Sequence, residues 1–295
     1  IMVGVTGSVG KTTTKEMIAL ALSAKYNTLK NEGNLNNEIG LPLTLFRLDS
    51  TYDAAVIEMG MSHFGEIHRL SKTARPTISI ITNIGFSHIE NLGSQEGILK
   101  AKLEILDGME VDTPLILNAD DKLLANVCLD RDIITYAIEN GYADVRAVNI
   151  VSDLDTKFDI LYKGDSFPVT LNCIGMHNVL NALAAFTVGV TCKISPTDII
   201  DKLSAYESVG LRQKVEQLGE QTVIIDCYNA SPDSMRAAIS VLAQMEPKNG
   251  GRRVAVLADM LELGEMSPEL HENVGEMVVD AKIDKLICYG SNSRY

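Results

Sequence analysis

Apolar residues in the first 140 positions come in short runs, Met2–Val5, Ala54–Met59, Ile78–Thr82 and Leu115–Leu117, separated by stretches of helical period at about 11–25, 39–48, 65–73 and 94–108. Short apolar runs alternating with helices predict βαβ units around a parallel sheet. The pattern changes over 143–174. There "DVRAVNIV", "KFDILYK" and "SFPVTLNCI" alternate around turn signals such as Lys163-Gly164-Asp165, which predicts a small antiparallel patch attached to the parallel sheet. Helices follow at about 177–191 and 196–206. A second alternating set starts near Gln221: strand "TVIID", helix 233–245, strand "RRVAVLAD", helix 268–281 and strand "KLICYG". The polar, Gly-bearing "YESVGLRQKVEQLGEQ" separates the sets, so the chain divides into two α/β units, 1–213 and 214–295.

The chain opens directly on the apolar "IMVGV", and the second set holds three strands where an open parallel sheet usually has more. A preceding segment and a longer second unit are therefore expected. Composition changes the picture little: 46% hydrophobic and 22% charged residues describe an ordinary globular protein. The net charge of −13 argues against a general nucleic-acid or membrane-surface binder, while leaving room for a local cationic pocket that holds a nucleotide. No run reaches the ~18 apolar residues of a membrane span. Cys128, Cys173, Cys192, Cys227 and Cys288 form no CxxC pair and lie in apolar segments, so buried thiols in a reducing, cytoplasmic compartment are expected.

The chemistry begins at "TGSVGKTT", Thr6–Thr13, between a predicted strand and helix. Gly7 and Gly10 let backbone N–H groups turn toward phosphate oxygens, and the helix N-terminus adds positive potential. Lys11 suits the β/γ-phosphates and Thr12 suits Mg²⁺, with Ser8 and Thr13 completing the loop. Val5 stands where the strict phosphate-loop pattern has its first Gly, so this is a variant loop. Glu58 ends the apolar run "AAVIEMG", a place for a carboxylate only if it faces a cation. His88 follows the strand ending near Thr82. A hydroxyl, a carboxylate and an imidazole are thus offered at one sheet edge, suiting Mg²⁺ or Mn²⁺; a structural hydrogen bond is an equal reading of His88 alone. His63, His68 and His271 read as surface or structural. Lys100 has Glu96 and Glu104 four positions away and reads as a solvated, paired lysine. Lys102 has Ile98, Leu99, Ile105 and Leu106 as helical neighbours. Residue physics alone favours a Lys102 that snorkels to water or meets phosphate unmodified over one whose lowered pKa frees an amine for CO₂.

The ordered set "TGSVGKTTTKEM", "EGNLNNEIGLPLTL", "VIEMGMSHFGEI", "TNIGFSHIENLGS", "AKLEIL", "GMHNVLNALAA", "DCYNASPDSM" and "LADMLELGE" closely resembles the Mur ligases of peptidoglycan synthesis over nearly the whole chain. The resemblance implies a P-loop ATPase domain, with a mostly parallel sheet and a small antiparallel patch, followed by an incomplete Rossmann-like C-terminal domain. It implies ATP-dependent amide formation through an acyl phosphate. The acceptor would be a UDP-muramyl-peptide, the amine D-alanyl-D-alanine and the protein a monomer. Under the resemblance Lys11 and Thr12 match the phosphate lysine and the Mg²⁺ hydroxyl, Glu58 and His88 match metal ligands, and Lys102 matches a carbamylated lysine, which reverses the reading from residue physics. Asn178, with His177 beside it, matches an adenine contact, and Arg212 and Asp226 match nucleotide contacts. Asn34, Asn36 and Asn37 match the muramyl-peptide loop; Tyr228, Asn229 and Ser231 lie where the dipeptide is expected. Asn31, Ile225 and Ser231 depart from the family pattern, which touches substrate contacts rather than the ATPase core. Alternatives are another ligase with the same core, including a folylpolyglutamate-type enzyme, and a module that binds ATP without ligating.

Overall fold

The computed structural model describes residues 1–295 other than 154, 209, 248 and 249, so one position of the predicted inter-unit stretch lies outside the described residues. The chain runs β1 (Met2–Thr6), α1 (Lys11–Leu22), β2 (Thr28–Lys30), α2 (Gly40–Leu45), β3 (Ala54–Glu58), α3 (Glu66–Ala74), β4 (Ile78–Ile81), α4 (Ile89–Leu92) and α5 (Gln95–Leu103). It continues through β5 (Leu115–Asn118), β6 (Ile133–Ala137), β7 (Val145–Ser152), β8 (Thr156–Tyr162), β9 (Asp165–Leu171), α6 (Met176–Thr191) and α7 (Pro196–Ser204). The last part holds β10 (Lys214–Leu218), β11 (Gln221–Ile225), α8 (Pro232–Gln244), β12 (Val254–Ala258), α9 (Ser267–Asp280) and β13 (Lys285–Tyr289).

A nine-stranded sheet in the order β2-β3-β1-β4-β5-β6-β7-β8-β9 organises the first unit; β2 to β7 pair in parallel and β7-β8-β9 are antiparallel. Because side chains alternate along a strand, Ala54 and Val56 of β3 face one layer while Ala55 and Ile57 face the other. Val3, Val5 and Ile80 pack with Met17, Ile18 and Leu22 of α1 and with Leu183 and Phe186 of α6. On the opposite face, Ile57, Ile81 and Leu117 pack with Ile67 and Leu70 of α3 and Ile98 of α5. This second cluster continues into the last unit through Met235, Ile239 and Met260.

The parallel sheet and its antiparallel extension agree with the sequence pattern. Strands β2 and β6 are absent from the sequence reading: β2 has only three residues, while β6 is the mostly apolar run Ile133–Ala137. The stretch "TVIID" also differs. It forms β11 of an antiparallel hairpin with β10, and the parallel pair of the last unit is β12-β13. Predicted helix 94–108 is α5 followed by a 3₁₀ turn at Glu104–Gly108. Glu104 does not pair with Lys100. Its carboxylate accepts the Gly65 N–H at 2.9 Å and the His68 N–H at 3.2 Å, serving the orphan amides at the start of α3. Lys100 instead lies 5.9 Å from the Phe64 ring centre. Cys173 and Cys192 are buried as expected, but Cys128, Cys227 and Cys288 are exposed. For Cys288 the reason is that β13, an edge of a two-stranded sheet, has all five of its residues exposed. His63 and His68 lie at the surface, and His271 is structural, accepting the Met260 N–H at 3.0 Å. No helix among the described residues is long and apolar enough to cross a membrane.

Helix α5 begins under close constraint. Replacing a helical Gly by Ala ordinarily stabilises by about 1 kcal/mol, yet a Cβ on Gly97 would stand 2.1 Å from the Leu92 carbonyl oxygen at the end of α4. Gly97→Ala is expected to destabilise by about 1–3 kcal/mol because backbone must move. A lowered denaturant midpoint checks this, and a raised one contradicts it.

Candidate active site

Strand order reverses about β1, with β3 on one side and β4 on the other, and α/β sheets open their ligand crevice beyond the carboxyl ends at such a point. Here the crevice is a cavity of about 670 Å³. The loop Gly7–Gly10 leaves β1 at its floor. A Cβ on Gly7 would stand 1.8 Å from Thr82 Oγ1, and one on Gly10 would stand 2.8 Å from Asn181 Oδ1 at a φ of +81°. Neither position has room for a side chain. The first backbone bond of α1 runs from Thr14 N–H to the Gly10 carbonyl at 2.8 Å, and Gly10 supplies no side-chain cap. The amides of Lys11, Thr12 and Thr13 therefore have no intrahelical acceptor, which is the arrangement that binds phosphate. The earlier amides of Ser8 and Val9 donate to Asn83 Oδ1 at 3.1 and 3.0 Å, and Thr82 Oγ1 donates to the Val9 carbonyl at 2.7 Å. Asn83 was not anticipated; its signal was its place immediately after an apolar strand.

Glu58 is 2% exposed. Its Oε2 accepts the Thr12 hydroxyl at 2.9 Å, its Oε1 accepts Asn36 Nδ2 at 2.8 Å, and its N–H donates to Asn31 Oδ1 at 2.8 Å. Lys11 folds back on its own loop, donating from Nζ to the carbonyls of Gly7 at 2.9 Å and Ser8 at 3.2 Å. Burial draws its pKa below the ordinary lysine value, with Glu58 opposing and Arg212 reinforcing the shift. Each Glu58 oxygen keeps a lone pair, so a hydroxyl and a carboxylate can both face one hard cation. Among the described residues no three His, Cys, Asp or Glu side chains cluster as a metal cage. The protein's oxygen donors thus fit an ion such as Mg²⁺, which fills its remaining positions with water and phosphate.

His88 caps α4 at a φ of +64° and lies on the same cavity wall. Its Nδ1 makes an ion-pair contact with the Glu262 carboxylate of the last unit. Burial lowers the imidazole pKa; Glu262 opposes this, and Lys11 and Lys102 add to it. Lys102 does not line the cavity and is 2% exposed, so it does not snorkel to water. Burial first, and the Lys11 charge second, hold its ammonium well below 10.5. Thr12, Glu58 and His88 thus line one cavity; Lys102 does not line it, but lies close enough for its charge to act on His88 and for the Lys11 charge to act on it.

Elsewhere on the wall, Asn178 donates from Nδ2 to the carbonyl of Ile174, just before α6, at 2.9 Å. Neighbouring His177 is held down to about 4 by burial. The Arg212 guanidinium lies 4.1 Å from the Tyr228 ring centre, a cation–π contact, and burial raises the Asp226 pKa. Tyr228, Asn229 and Ser231 line the cavity, and Ser231 also caps α8. Asn36 and Asn37 line it too, Asn37 Oδ1 accepting the Gly40 N–H at 2.9 Å. Asn34 is exposed on the loop and is not a wall residue.

The family model described as the Mur ligase middle domain matches residues 5–189, and that described as the Mur ligase, glutamate ligase domain matches 212–295. The UDP-N-acetylmuramoyl-tripeptide–D-alanyl-D-alanine ligase of Bacillus subtilis is 41% identical over 292 residues, an alignment covering 98% of this chain and 62% of that protein. The chain thus spans about three fifths of that relative's length. A crystal structure of MurF from Acinetobacter baumannii superposes with a TM-score of 0.93 at 33% identity, over 99% of this chain and 64% of that one. MurF from Thermotoga maritima in complex with ADP gives 0.86 at 30% identity, over 98% and 70% of the two chains.

The depressed Lys102 pKa has a consequence for stability. Between the folded-state value and 10.5 the unfolded chain binds the additional proton, so stability contributed by this group falls as pH falls through that window. In buffer free of metal and bicarbonate, Lys102→Met is expected to melt above the parent protein near pH 7, with the difference shrinking toward about pH 10. Thermal denaturation at the two pH values checks this; an equal or lower Tm near pH 7 contradicts it.

Proposed function

The chain belongs to the Mur ligase family, and we propose that it is the ATP-using part of a cytoplasmic ligase that joins D-alanyl-D-alanine to a UDP-N-acetylmuramoyl-tripeptide. The observation that carries the proposal is the Thr12–Glu58 contact, 2.9 Å long, at the foot of a loop whose next amides are free for phosphate. Identity of 41% with a relative of that name supports the choice of substrates.

The acceptor's terminal carboxylate attacks the γ-phosphorus of ATP, the bond to the β-phosphate oxygen breaks, and an acyl phosphate and ADP result. The amine of D-alanyl-D-alanine then attacks the acyl carbon, the amide forms, and phosphate leaves. Two anions must meet in the first step, so positive groups must surround both. The amides of Lys11, Thr12 and Thr13 receive phosphate oxygens, and Lys11 exchanges its loop carbonyls for the β/γ-phosphates. Thr12 and Glu58 would hold Mg²⁺ or Mn²⁺, and His88 would be available to a second ion; such a cation would supply charge neutralisation at the transferred phosphoryl group. Lys102 is a buried amine beside Lys11 and His88. Attack of its nitrogen on CO₂, with loss of a proton, gives a carbamate that replaces a like charge with an anion suited to that second ion. Asn178 and His177 flank the adenine. Arg212 and Asp226 bring the last unit to the nucleotide, Tyr228, Asn229 and Ser231 receive the dipeptide, and the loop Asn34–Asn37 meets the muramyl peptide.

The test is ADP release in the full-length protein and in this chain with ATP, Mg²⁺, UDP-muramyl-tripeptide and D-alanyl-D-alanine, each omitted in turn. Release that needs neither acceptor nor dipeptide contradicts the proposal. Lys11→Ala is expected to lower turnover by about 10²- to 10³-fold, and normal turnover would remove the loop from the site. Lys102→Ala is expected to lose activity and to regain part of it with added acetate. No rescue, together with an unshifted Lys102 mass under bicarbonate, would remove the carbamate.

A further inference from the structure

Helix α1 carries Thr12 and Lys15 three residues apart, hence on one face. Thr12 reaches the Glu58 carboxylate directly. Lys15, fully buried at 0% exposure, approaches the same residue from behind. Its Nζ donates to the Asn31 carbonyl at 2.6 Å, and the Asn31 side chain accepts the Glu58 N–H at 2.8 Å through Oδ1. Asn31 Nδ2 donates to the Leu35 carbonyl at 3.0 Å, closing the turn from which Asn36 reaches Glu58 Oε1. One ammonium thus stands behind two of the three contacts that fix Glu58, the one to its backbone and the one from Asn36, the third being Thr12.

The charge of Lys15 is met by Glu16 Oε1 at 3.1 Å, and the other Glu16 oxygen pairs with Lys30, which reaches the surface. A buried ion pair of this kind contributes little net stability relative to apolar residues of the same volume. Its value lies in direction: an ammonium at 2.6 Å holds one carbonyl in one place. We infer that Lys15, acting through Asn31, is a positioning residue that sets the Glu58 carboxylate for its cation. The inference rests on the reading of Thr12 and Glu58 as a cation site.

The experiment measures Mn²⁺ affinity by electron paramagnetic resonance on the full chain with ADP, beside ADP affinity in EDTA and a thermal melt. Lys15→Met/Glu16→Gln should remain folded, bind ADP in EDTA as the parent does, and bind Mn²⁺ about 10- to 100-fold more weakly, the usual effect of losing an outer partner of a metal ligand. Asn31→Ala keeps the backbone carbonyl that Lys15 holds but removes the link to Glu58, and should show the same loss. Combining the changes should add little to the larger single effect, because they lie on one path. Parent-like Mn²⁺ affinity in either variant, or losses that multiply, would overturn the inference. So would an unfolded Lys15→Met/Glu16→Gln protein, which would make the pair a stability element. Glu58→Gln separates the two levels. If it leaves Mn²⁺ binding intact, the cation-site reading itself falls; if it abolishes binding while the Lys15 variant does not, only the role of Lys15 falls.

Discussion

A carboxylate buried at the end of a central strand is the constraint around which this molecule is arranged. Glu58 is nearly inaccessible, and an ionised group in that position needs hydrogen bonds and a countercharge. The fold supplies the carboxylate's hydrogen bonds from two elements, Thr12 from α1 and Asn36 from the loop before α2, while Asn31, just after β2, accepts the Glu58 backbone N–H. The phosphate loop and the carboxylate are consequently locked together before any ligand enters. The pairing of Val5 with Glu58 across β1 and β3 is what brings them level.

The second feature is an accumulation of cationic groups with suppressed basicity. Burial lowers all three pKa values, of Lys11, His88 and Lys102; Lys11 and Lys102 lower that of His88 further, Lys11 lowers that of Lys102, and Arg212 lowers that of Lys11. Lys11, His88 and Arg212 share the cavity wall with the carboxylates of Glu58, Asp226 and Asp233, so the cleft sets both signs of charge side by side. The cluster also explains why Lys102 is chemically unusual. With no water to reach and positive neighbours at hand, it spends more of its time as an amine than an exposed lysine does.

The last unit is part of this architecture. Glu262 meets His88, the Phe86 N–H donates to Asp233 Oδ2 at 3.3 Å, and the Glu90 N–H donates to the Glu262 carbonyl at 3.2 Å. The segment from Gly85 to Glu90, just beyond β4, is therefore gripped on one side by the phosphate loop and on the other by the second unit. A ligand that alters the loop acts on a segment the last unit also holds.

Periodicity and residue type alone determined the parallel sheet, its antiparallel extension, the phosphate loop and the oddity of a carboxylate at a strand end, because these follow from local spacing and from the rule that apolar runs are buried. The eight ordered motifs added the family. What local spacing does not carry is partnership between distant positions. Lys102 had the same neighbours whether it snorkelled or stayed buried, and only the packing of α5 against the sheet decided that. Glu104 looked like a partner of Lys100 at helical spacing, but α3 brought free amides closer. "TVIID" read as another parallel strand, and the hairpin partner β10 took it. Asn83 and Glu262 were unremarkable letters until the fold set them against the loop amides and His88, and Asn31, set apart only as a departure from the family pattern, met the Glu58 backbone. Those contacts are long-range, so they exist only once the chain has closed on itself.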